Sequence, residues 1–496
     1  MKKFSRLASR DWVGLALVLA GFILRLRQYL ANRSLWLDEA MLANNIVSRS
    51  FGGLTQWLDY DQQAPIGFLW SQKVVILVFG NNEYALRLIP FLAGCAALAL
   101  MYMLTRRLPP ISGNVALALF AVSNTLIYYT SEAKQYNLDV AVALGLLMLF
   151  LHLDERGWRP RGHVLFGAVG ALALWFSHPA IFTLASLGLL LLVKTTRQKS
   201  LPALGWTLLT GGMWLASFAG FYVLFLRRSV TADVLLDYWG DAFLPLSLRA
   251  GSWLAAAFSN FSIFAAGLET PLLINAALAL IGLIFLALRD SRLAAAISLP
   301  ALFVLAASAA RAYPFAGRML LFLTPMIFIL LGEGFGAISL LMRTKSSAAS
   351  WTLGLLAVTF IFFNAQTTAQ DFRAPKMSEH IRPTMESLRD SRRDGDIIYV
   401  YSWAEPAVRF YASKYGFAMS DFILGADHHE NPDLYRAELD ALRDNRRVWF
   451  LFSHVYENGD FNEREFILNY LDSIGELSRA YHLPGTSVFL YLYDLK

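Results

Sequence analysis

Two adjacent acids, Asp38 and Glu39, follow the first apolar run of the chain in the segment 34–40 (SLWLDEA). Neighbouring side chains on a helix point about 100° apart, so two adjacent acids rarely serve the same function. One can act as a general base, while the other caps the helix start, where a negative charge is favoured. The pair also fits a divalent cation, and the alternative without chemistry is a solvated helix N-terminus. We predict that Asp38 and Glu39 are catalytic.

A second group of polar residues lies in the segment 128–137, which contains Glu132, Lys134 and Tyr136. If this segment is helical, Glu132 and Tyr136 stand four residues apart on one face. Ionisable groups at membrane depth cost about 2.5–3.5 kcal/mol each and normally face a cavity or a partner. The structural alternative is an ion pair of Glu132 with Lys134 or with Arg318.

Four cations, Lys73, Lys134, Arg311 and Arg318, lie next to apolar segments. An anionic ligand with a hydrocarbon tail matches this pattern, because its phosphate meets Lys and Arg while the tail stays in lipid. Each cation alone also fits a residue that extends to the membrane interface.

One histidine, His178, stands in the segment 176–179 (FSHP) between two apolar runs. It is either a helix-end residue or a ligand-binding residue and proton carrier, and we include it among the candidate binding residues. The sequence has no zinc-protease spacing, no glycine-rich phosphate loop and no serine nucleophile motif.

The composition indicates which elements carry these residues. The chain has 496 residues, of which 56% are hydrophobic and 16% are charged, with a mean hydropathy of +0.45. This excludes a soluble enzyme, a coiled coil and a disordered chain. Runs long enough to cross a bilayer predict about eleven transmembrane helices, at 12–30, 84–104, 115–129, 138–151, 164–176, 181–193, 204–226, 271–288, 293–309, 319–341 and 351–363.

The net charge of +6 is spread over short basic clusters between the apolar runs, so nucleic acid is not a predicted partner. The positive-inside rule places these clusters, at 2–10, 106–107, 156–161, 194–199, 289–292 and 343–345, in the cytoplasm. The predicted external segments are then 31–83, 130–137, 177–179, 227–270, 311–318 and everything after about residue 364. The segment 65–79 is predicted to lie at the outer interface. The alternative is a short transmembrane span, which would place every later loop on the opposite side of the membrane.

The composition changes sharply near residue 370, where charges become frequent. We predict strands at 396–401, 447–453 and 487–493 and helices at 405–415, 433–444 and 463–474. The predicted domains are a transmembrane domain (1–366), which includes a catalytic first loop (about 31–83), and an extracytoplasmic α/β domain (367–496). No residue of the latter is predicted to be functional.

Four segments taken together resemble the GT-C glycosyltransferases, and in particular family 39, the bacterial relatives of protein O-mannosyltransferases and of the lipid A aminoarabinose transferase. They are 34–40 (SLWLDEA), 82–90 (NEYALRLIP), 129–136 (YTSEAKQY) and 317–321 (GRMLL). The resemblance implies a GT-C fold and an enzyme of the bacterial inner membrane. Such an enzyme transfers one sugar, with inversion, from a polyprenyl-phosphate carrier to an acceptor outside the cytoplasm.

The resemblance also implies roles for single residues. Asp38 matches the catalytic base of the first loop and Glu39 is its neighbour, while Glu132 matches the second acidic position. Lys134 stands where many relatives have Arg, and Arg318 matches an Arg expected near the carrier phosphate. One departure is the segment 61–66 (DQQAPI), where many relatives have His-Pro-Pro; any metal-binding role of that His has no counterpart here.

We therefore predict a hexosyl- or pentosyltransferase of the cell envelope with a lipid-linked sugar donor, an extracytoplasmic acceptor (glycan, lipid or protein) and membrane lipid as partners. No cofactor is assigned, although a divalent cation is compatible with the acids. Two alternatives remain, a transporter or flippase of lipid-linked sugars and a non-catalytic envelope-assembly protein. Transporters place their site near the membrane midplane and often show inverted repeats, whereas these polar residues gather at the predicted outer edge.

Overall fold

The computed structural model describes residues 11–226, 233–343, 347–459 and 461–495. The chain divides into two compact units. The first contains the chain up to Ala31, Gln63–Val75 and Arg87–Ala374, and the second contains Asn32–Gln62, Ile76–Leu86 and the chain from Pro375 onward. Two early segments thus group with the tail. The predicted basic clusters at 2–10 and around Lys345 lie largely outside the described residues.

The first unit is helical. Its helices are α1 (Trp12–Leu30), α3 (Ile66–Phe79), α4 (Glu83–Thr105), α5 (Pro110–Val122), α6 (Asn124–Tyr129), α7 (Tyr136–Glu155), α8 (Pro160–Phe176), α9 (Ala180–Arg197), α10 (Leu201–Phe221), α11 (Asp233–Tyr238), α12 (Ala250–Asn260), α13 (Leu272–Arg289), α14 (Ser291–Ala309), α15 (Thr324–Arg343), α16 (Ser347–Phe363) and α17 (Gln366–Arg373). The last residues of α3 and the first residues of α4 belong to the second unit. Every predicted span falls on one or two of these helices. Among the described residues, eight helical segments are long and apolar enough to cross a membrane. The segment Trp351–Phe363 of α16 and the helix α17, which meet at an angle of 47°, make a ninth if they count as one span. The chain is a multi-pass membrane protein.

Ion pairs join several of the basic loops that the sequence places in the cytoplasm. Arg107 lies 2.5 Å from Glu155, and Asp154 binds Lys194 and lies 3.5 Å from Arg292. These loops therefore share one end of the first unit. Because α7 has 20 residues, its first residue, Tyr136, lies about 30 Å from that end.

Glycines allow the closest helix contacts of the first unit. A Cβ atom on Gly282 of α13 would lie 1.9 Å from the carbonyl oxygen of Leu330 in α15, and one on Gly332 would lie 2.3 Å from that of Ser112 in α5. Small residues that let backbones approach are a common basis of helix association in membranes. Next to this contact, Arg289 donates two hydrogen bonds, of 2.7 and 2.8 Å, to the fully buried carboxylate of Glu333.

A buried arginine fixes α1 against α5. Arg25 is 1% exposed and donates to the carbonyl oxygens of Gly21, Phe120 and Ala121 at 3.0–3.2 Å. The last two acceptors lie at the C-terminal end of α5, where a cation is favoured by the helix dipole. These hydrogen bonds give the buried Arg25 a structural role at the contact between α1 and α5.

The second unit contains a five-stranded sheet in the order β2-β1-β3-β7-β6. The strands are β1 (Ile397–Val400), β2 (Ile423–Leu424), β3 (Val448–Phe452), β6 (Gly475–His482) and β7 (Phe489–Leu495), and a small hairpin is formed by β4 (Glu457–Asn458) and β5 (Phe461–Asn462). β1 pairs in parallel with β2 and β3, and β7 pairs antiparallel with β3 and β6. The helices are α2 (Leu37–Ser48), α18 (Arg382–Ser391), α19 (Glu405–Tyr411), α20 (Asp433–Asp440) and α21 (Glu463–Ile474).

The three strands and three helices predicted for the tail are present, with ends shifted by a few residues. The sequence missed α18, β2, the hairpin β4–β5 and β6. β6 is an edge strand whose side chains are mostly exposed, so it lacks the alternation that marks a half-buried strand.

The glycine contact yields a stability prediction. Gly282→Ala places a methyl group against a backbone carbonyl that cannot rotate away, so we expect a loss of about 1–3 kcal/mol of stability and a lower melting temperature of the full chain in detergent. The matched control is Gly212→Ala in α10, because a Cβ atom there meets nothing within 4 Å. Alanine also favours helix over glycine, so this variant should melt at or above the wild-type temperature. Equal melting of the two variants would contradict the packing argument.

Candidate active site

The segment between α6 and α7 forms a turn. Its residues 130–135 are not helical, and α7 begins only at Tyr136. The loop predicted at 130–137 is present up to residue 135, so the condition under which Glu132 and Tyr136 would share one helical face is not met. The turn is fixed by hydrogen bonds from the Thr130 and Ser131 amides to carbonyl oxygens of α6, at 3.0–3.1 Å. Its exit is fixed by Asn137 Nδ2, which donates to the carbonyl oxygen of Leu126 at 3.1 Å.

This turn holds two charged side chains inside the protein. Glu132 is 0% exposed and Lys134 is 4% exposed. A Cβ atom on Gly94 of α4 would lie 2.2 Å from the Thr130 side chain, so α4 closes tightly over the turn. Burying charges is costly unless they have partners, so this turn is a candidate for a functional role.

Arg318 joins this turn from a distant part of the chain. It follows Gly317, whose φ of +45° suits glycine, and opens the 3-10 helix Gly317–Leu323. Its guanidinium carbon lies 5.5 Å from the centre of the Tyr136 ring, a cation–π contact. The Tyr136 ring is in turn 5.2 Å from the Tyr129 ring, and Tyr129 interacts electrostatically with Glu132 and Arg318. Three predicted residues, Glu132, Tyr136 and Arg318, are thus brought together.

Two further polar residues extend this cluster. Asp139 in the first turn of α7 is 6% exposed, and its carboxylate interacts with the Ser177 side chain. Tyr313 interacts electrostatically with Asp139 and Tyr136 and donates to the carbonyl oxygen of Met319 at 2.9 Å. The sequence analysis missed Tyr313, although it lies in the same predicted loop as Arg318.

His178 lies in the turn between α8 and α9, and Lys73 lies on α3. The His178 ring is 5.4 Å from the Phe221 ring. Burial lowers the pKa of its imidazole to about 4, which favours the neutral form of His178 near pH 7. Lys73 is half-buried on α3, whose first turn approaches the end of α8, where a Cβ atom on Gly67 would lie 2.8 Å from the carbonyl oxygen of Trp175.

In the second unit, the adjacent acids Asp38 and Glu39 occupy the first turn of α2. Glu39 is fully buried, accepts from the Trp36 amide at 3.4 Å and lies 3.8 Å from Arg33. Asp38 is only half-buried. The helix therefore separates the two acids, and Glu39 is the one that caps its start.

The backbone just before Asp38 is held by side chains of the tail. The Ser34 amide donates to His380 Nδ1 at 3.2 Å, the Leu35 amide to the Tyr411 hydroxyl at 2.9 Å, and the Leu37 amide to Glu379 Oε2 at 2.8 Å. The sequence analysis named no functional residue in the tail. These acceptors are scattered through its loops and helices, so no local pattern reveals them.

Glu83 of the quoted segment 82–90 belongs to the same network. The Tyr411 hydroxyl, which accepts from Leu35, donates to Glu83 Oε1 at 2.9 Å, and Arg382 lies 3.3 Å from the same oxygen. Arg382 also donates its amide to the Ser34 hydroxyl at 3.2 Å. Glu83 therefore helps to hold the segment that leads into α2.

The residues present do not fit a cation bound by both adjacent acids. Glu39 is committed to Arg33 and to the backbone. Within the described ranges, no group of three or more His, Cys, Asp or Glu side chains could hold a metal ion. A cation coordinated by Asp38 and Glu39 together is therefore not supported.

The comparisons with known proteins agree with this architecture. A family model described as dolichyl-phosphate-mannose-protein mannosyltransferase matches residues 63–222, which is less than half of the chain. No curated protein matches the chain.

Solved structures similar to the chain include ArnT from Cupriavidus metallidurans, in the apo state (TM-score 0.55, 13% identity) and bound to undecaprenyl phosphate (0.54, 14%), with 98% of each chain covered in both cases. They also include the oligosaccharyltransferase AglB from Archaeoglobus fulgidus in complex with an inhibitory peptide and a dolichol-phosphate, with a TM-score of 0.54 and 12% identity over 98% of this chain and 74% of that one. At these identities the likeness concerns the fold.

The different settings of the two adjacent acids lead to a prediction. Replacing the fully buried Glu39 by Ala removes a helix cap and an ion-pair partner, so we expect a loss of roughly 1–3 kcal/mol. Asp38→Asn preserves the size of a half-exposed side chain, and its melting temperature should stay within about 2 °C of the wild type. Thermal unfolding of the two purified variants compares them, and equal losses would show that Glu39 is not the structural member of the pair.

Proposed function

We propose that this chain, which has the fold of the GT-C glycosyltransferases, transfers a single sugar from a polyprenyl-phosphate carrier to an acceptor, with inversion at the anomeric carbon. The family model that matches residues 63–222 supports the assignment to glycosyl transfer. The carriers named for two similar structures, undecaprenyl phosphate and dolichol-phosphate, support the choice of donor class.

One observation carries the proposal: charged and aromatic side chains are buried together at one end of the helical unit. Glu132 and Lys134 are almost fully buried, and Arg318 lies against Tyr136, about 30 Å from the ion-paired basic loops. A transporter site near the membrane midplane would require such groups in the middle of the helices. A site at the helix ends suits a donor whose phosphate lies at the membrane surface and whose hydrocarbon tail stays in lipid.

In the proposed reaction, a hydroxyl or amine of the acceptor attacks the anomeric carbon of the sugar. The new bond forms as the bond between this carbon and the phosphate oxygen breaks, and the bonding electrons leave with the phosphate. Asp38 takes the proton of the attacking group, a general-base role that typically contributes 10²–10⁴-fold. The products are the glycosylated acceptor and the free polyprenyl phosphate.

The leaving phosphate is already an anion, so it needs fixed cations and no proton. We assign this role to Arg318, Lys134 and Lys73. The contact with the Tyr136 ring holds the Arg318 guanidinium in place before the donor binds. Glu132 balances the charge of these cations, and the neutral His178 serves as a hydrogen-bonding group for the sugar or the acceptor.

We further propose that the enzyme works at the outer face of a bacterial inner membrane, with its N-terminus in the cytoplasm and its C-terminal domain outside. The basic loops joined by ion pairs support this orientation through the positive-inside rule. The sugar is a hexose or a pentose, and the acceptor is an envelope glycan, lipid or protein. No step of this mechanism requires a divalent cation.

Asp38→Asn tests the assignment of the base. Asparagine cannot accept the proton, so we expect transfer to fall roughly 10²–10⁴-fold without a change in the amount of folded protein. The assay measures the release of polyprenyl phosphate from a panel of polyprenyl-phosphate hexoses and pentoses. The control is Asp61→Asn, an exposed acid in the same predicted loop, which should keep wild-type activity. Near-normal activity of Asp38→Asn would overturn the assignment.

Arg318→Ala tests the phosphate site. Loss of a fixed cation should weaken binding of the carrier about tenfold or more, equivalent to at least 1.4 kcal/mol, and affect the acceptor KM much less. Thermophoresis measures the binding of undecaprenyl phosphate alone and so reports on the loss of carrier affinity. Arg292→Ala makes the same change of charge at the opposite end of the unit, where 69% of the side chain is exposed, and should leave binding intact. Equal effects of Arg318→Ala on donor and acceptor would contradict the assignment.

A further inference from the structure

The tail contributes a carboxylate to the first turn of the helix that carries Asp38. Glu379 Oε2 accepts from the Leu37 amide at 2.8 Å, and Leu37 is the first residue of α2. The first amides of a helix have no partner within the helix, and a negative charge near them is favoured by the helix dipole. Glu379 thus fixes the residue directly before Asp38.

The other oxygen of the same carboxylate is held by a histidine. Glu379 Oε1 lies 2.8 Å from His454 Nδ1, and the Glu379 side chain is 10% exposed. A carboxylate only accepts, so Nδ1 is the donor. His454 lies two residues after the end of the central strand β3, and its φ of +50° is uncommon for a residue with a side chain. Such a backbone persists only where the surrounding structure holds it.

His454 also connects Glu379 to Asp38 electrostatically. The hydrogen bond with Glu379 raises the pKa of His454 above its ordinary value of 6.5; burial opposes this shift, and the negative charges of Glu379 and Asp38 add to it. Those two carboxylates are the charged groups with which His454 interacts among the described residues, and its other neighbour is the Trp403 ring at 5.9 Å. The pair with Glu379 is charge-assisted while His454 is protonated, and it weakens to a neutral hydrogen bond from Nδ1 as the pH rises through the raised pKa of His454.

We propose that Glu379 and His454 are positioning residues for Asp38: they hold the first turn of α2 so that the carboxyl group of Asp38 keeps one orientation during the reaction. This inference rests on the proposed function. It assigns the C-terminal domain a direct part in the reaction, because a small misplacement of a catalytic group can cost a hundredfold in rate. Neither residue touches the reacting atoms.

The test uses the full chain in detergent and the sugar donor that supports transfer by the wild type. Glu379→Ala should lower kcat at least tenfold and change the donor KM less than twofold, because it disturbs the base and leaves the phosphate-binding residues in place. Glu379→Gln keeps an oxygen that can accept from Leu37 and should restore part of the rate. Glu386→Gln removes an exposed carboxylate elsewhere in the tail and should match the wild type.

A second variant keeps the inference testable if Glu379→Ala fails to fold. His454→Asn retains a donor toward Glu379 but cannot be charged. In the wild type, kcat/KM should fall as the pH rises through the raised pKa of His454, and this alkaline limb should be absent in His454→Asn. Parallel pH profiles, or Glu379 variants as active as Glu386→Gln, would overturn the inference. If the wild type transfers no sugar from any donor, the proposed function itself fails.

Discussion

The cost of placing charge within a membrane protein governs the arrangement of this chain. Most of the strongly polar side chains discussed above lie near a helix end, in a turn or in the sheet domain, and buried charges within helices have partners, as Arg25 has backbone carbonyls and Glu333 has Arg289. The same cost makes the buried Glu132 and Lys134 informative. A protein retains such residues only where they have partners or a function, and the cation–π contact of Arg318 with Tyr136 brings a third charge to the same turn.

The two adjacent acids carry the same functional group, but the first turn of α2 places them in different environments. Glu39 is buried against Arg33 and the Trp36 amide, and Asp38 stays half-exposed. The backbone that leads to them is fixed by His380, Tyr411 and Glu379, which accept from the amides of Ser34, Leu35 and Leu37. This precision is what a general base needs, since proton transfer depends on geometry before it depends on pKa.

Much of this architecture could be predicted from the sequence. The helices follow from long apolar runs, and the tail strands from short runs of Val, Ile and aromatic residues. The loop predicted at 130–137 is also present up to residue 135, where hydrogen bonds to α6 and tight packing by Gly94 of α4 fix the turn. The tail residues around α2 could not be found from the sequence, since Glu379 and His454 lie more than 300 residues from Asp38 and match no local motif.

The composition of the second unit bears on how this protein can be re-engineered. Asn32–Gln62 and Ile76–Leu86 group with the chain from Pro375 onward, and Tyr411 ties Leu35 to Glu83 with a single hydroxyl. A chimera that exchanges only the C-terminal part with that of a relative breaks these bonds at once. The smallest interchangeable module is therefore discontinuous, and all three segments must be transplanted as a set.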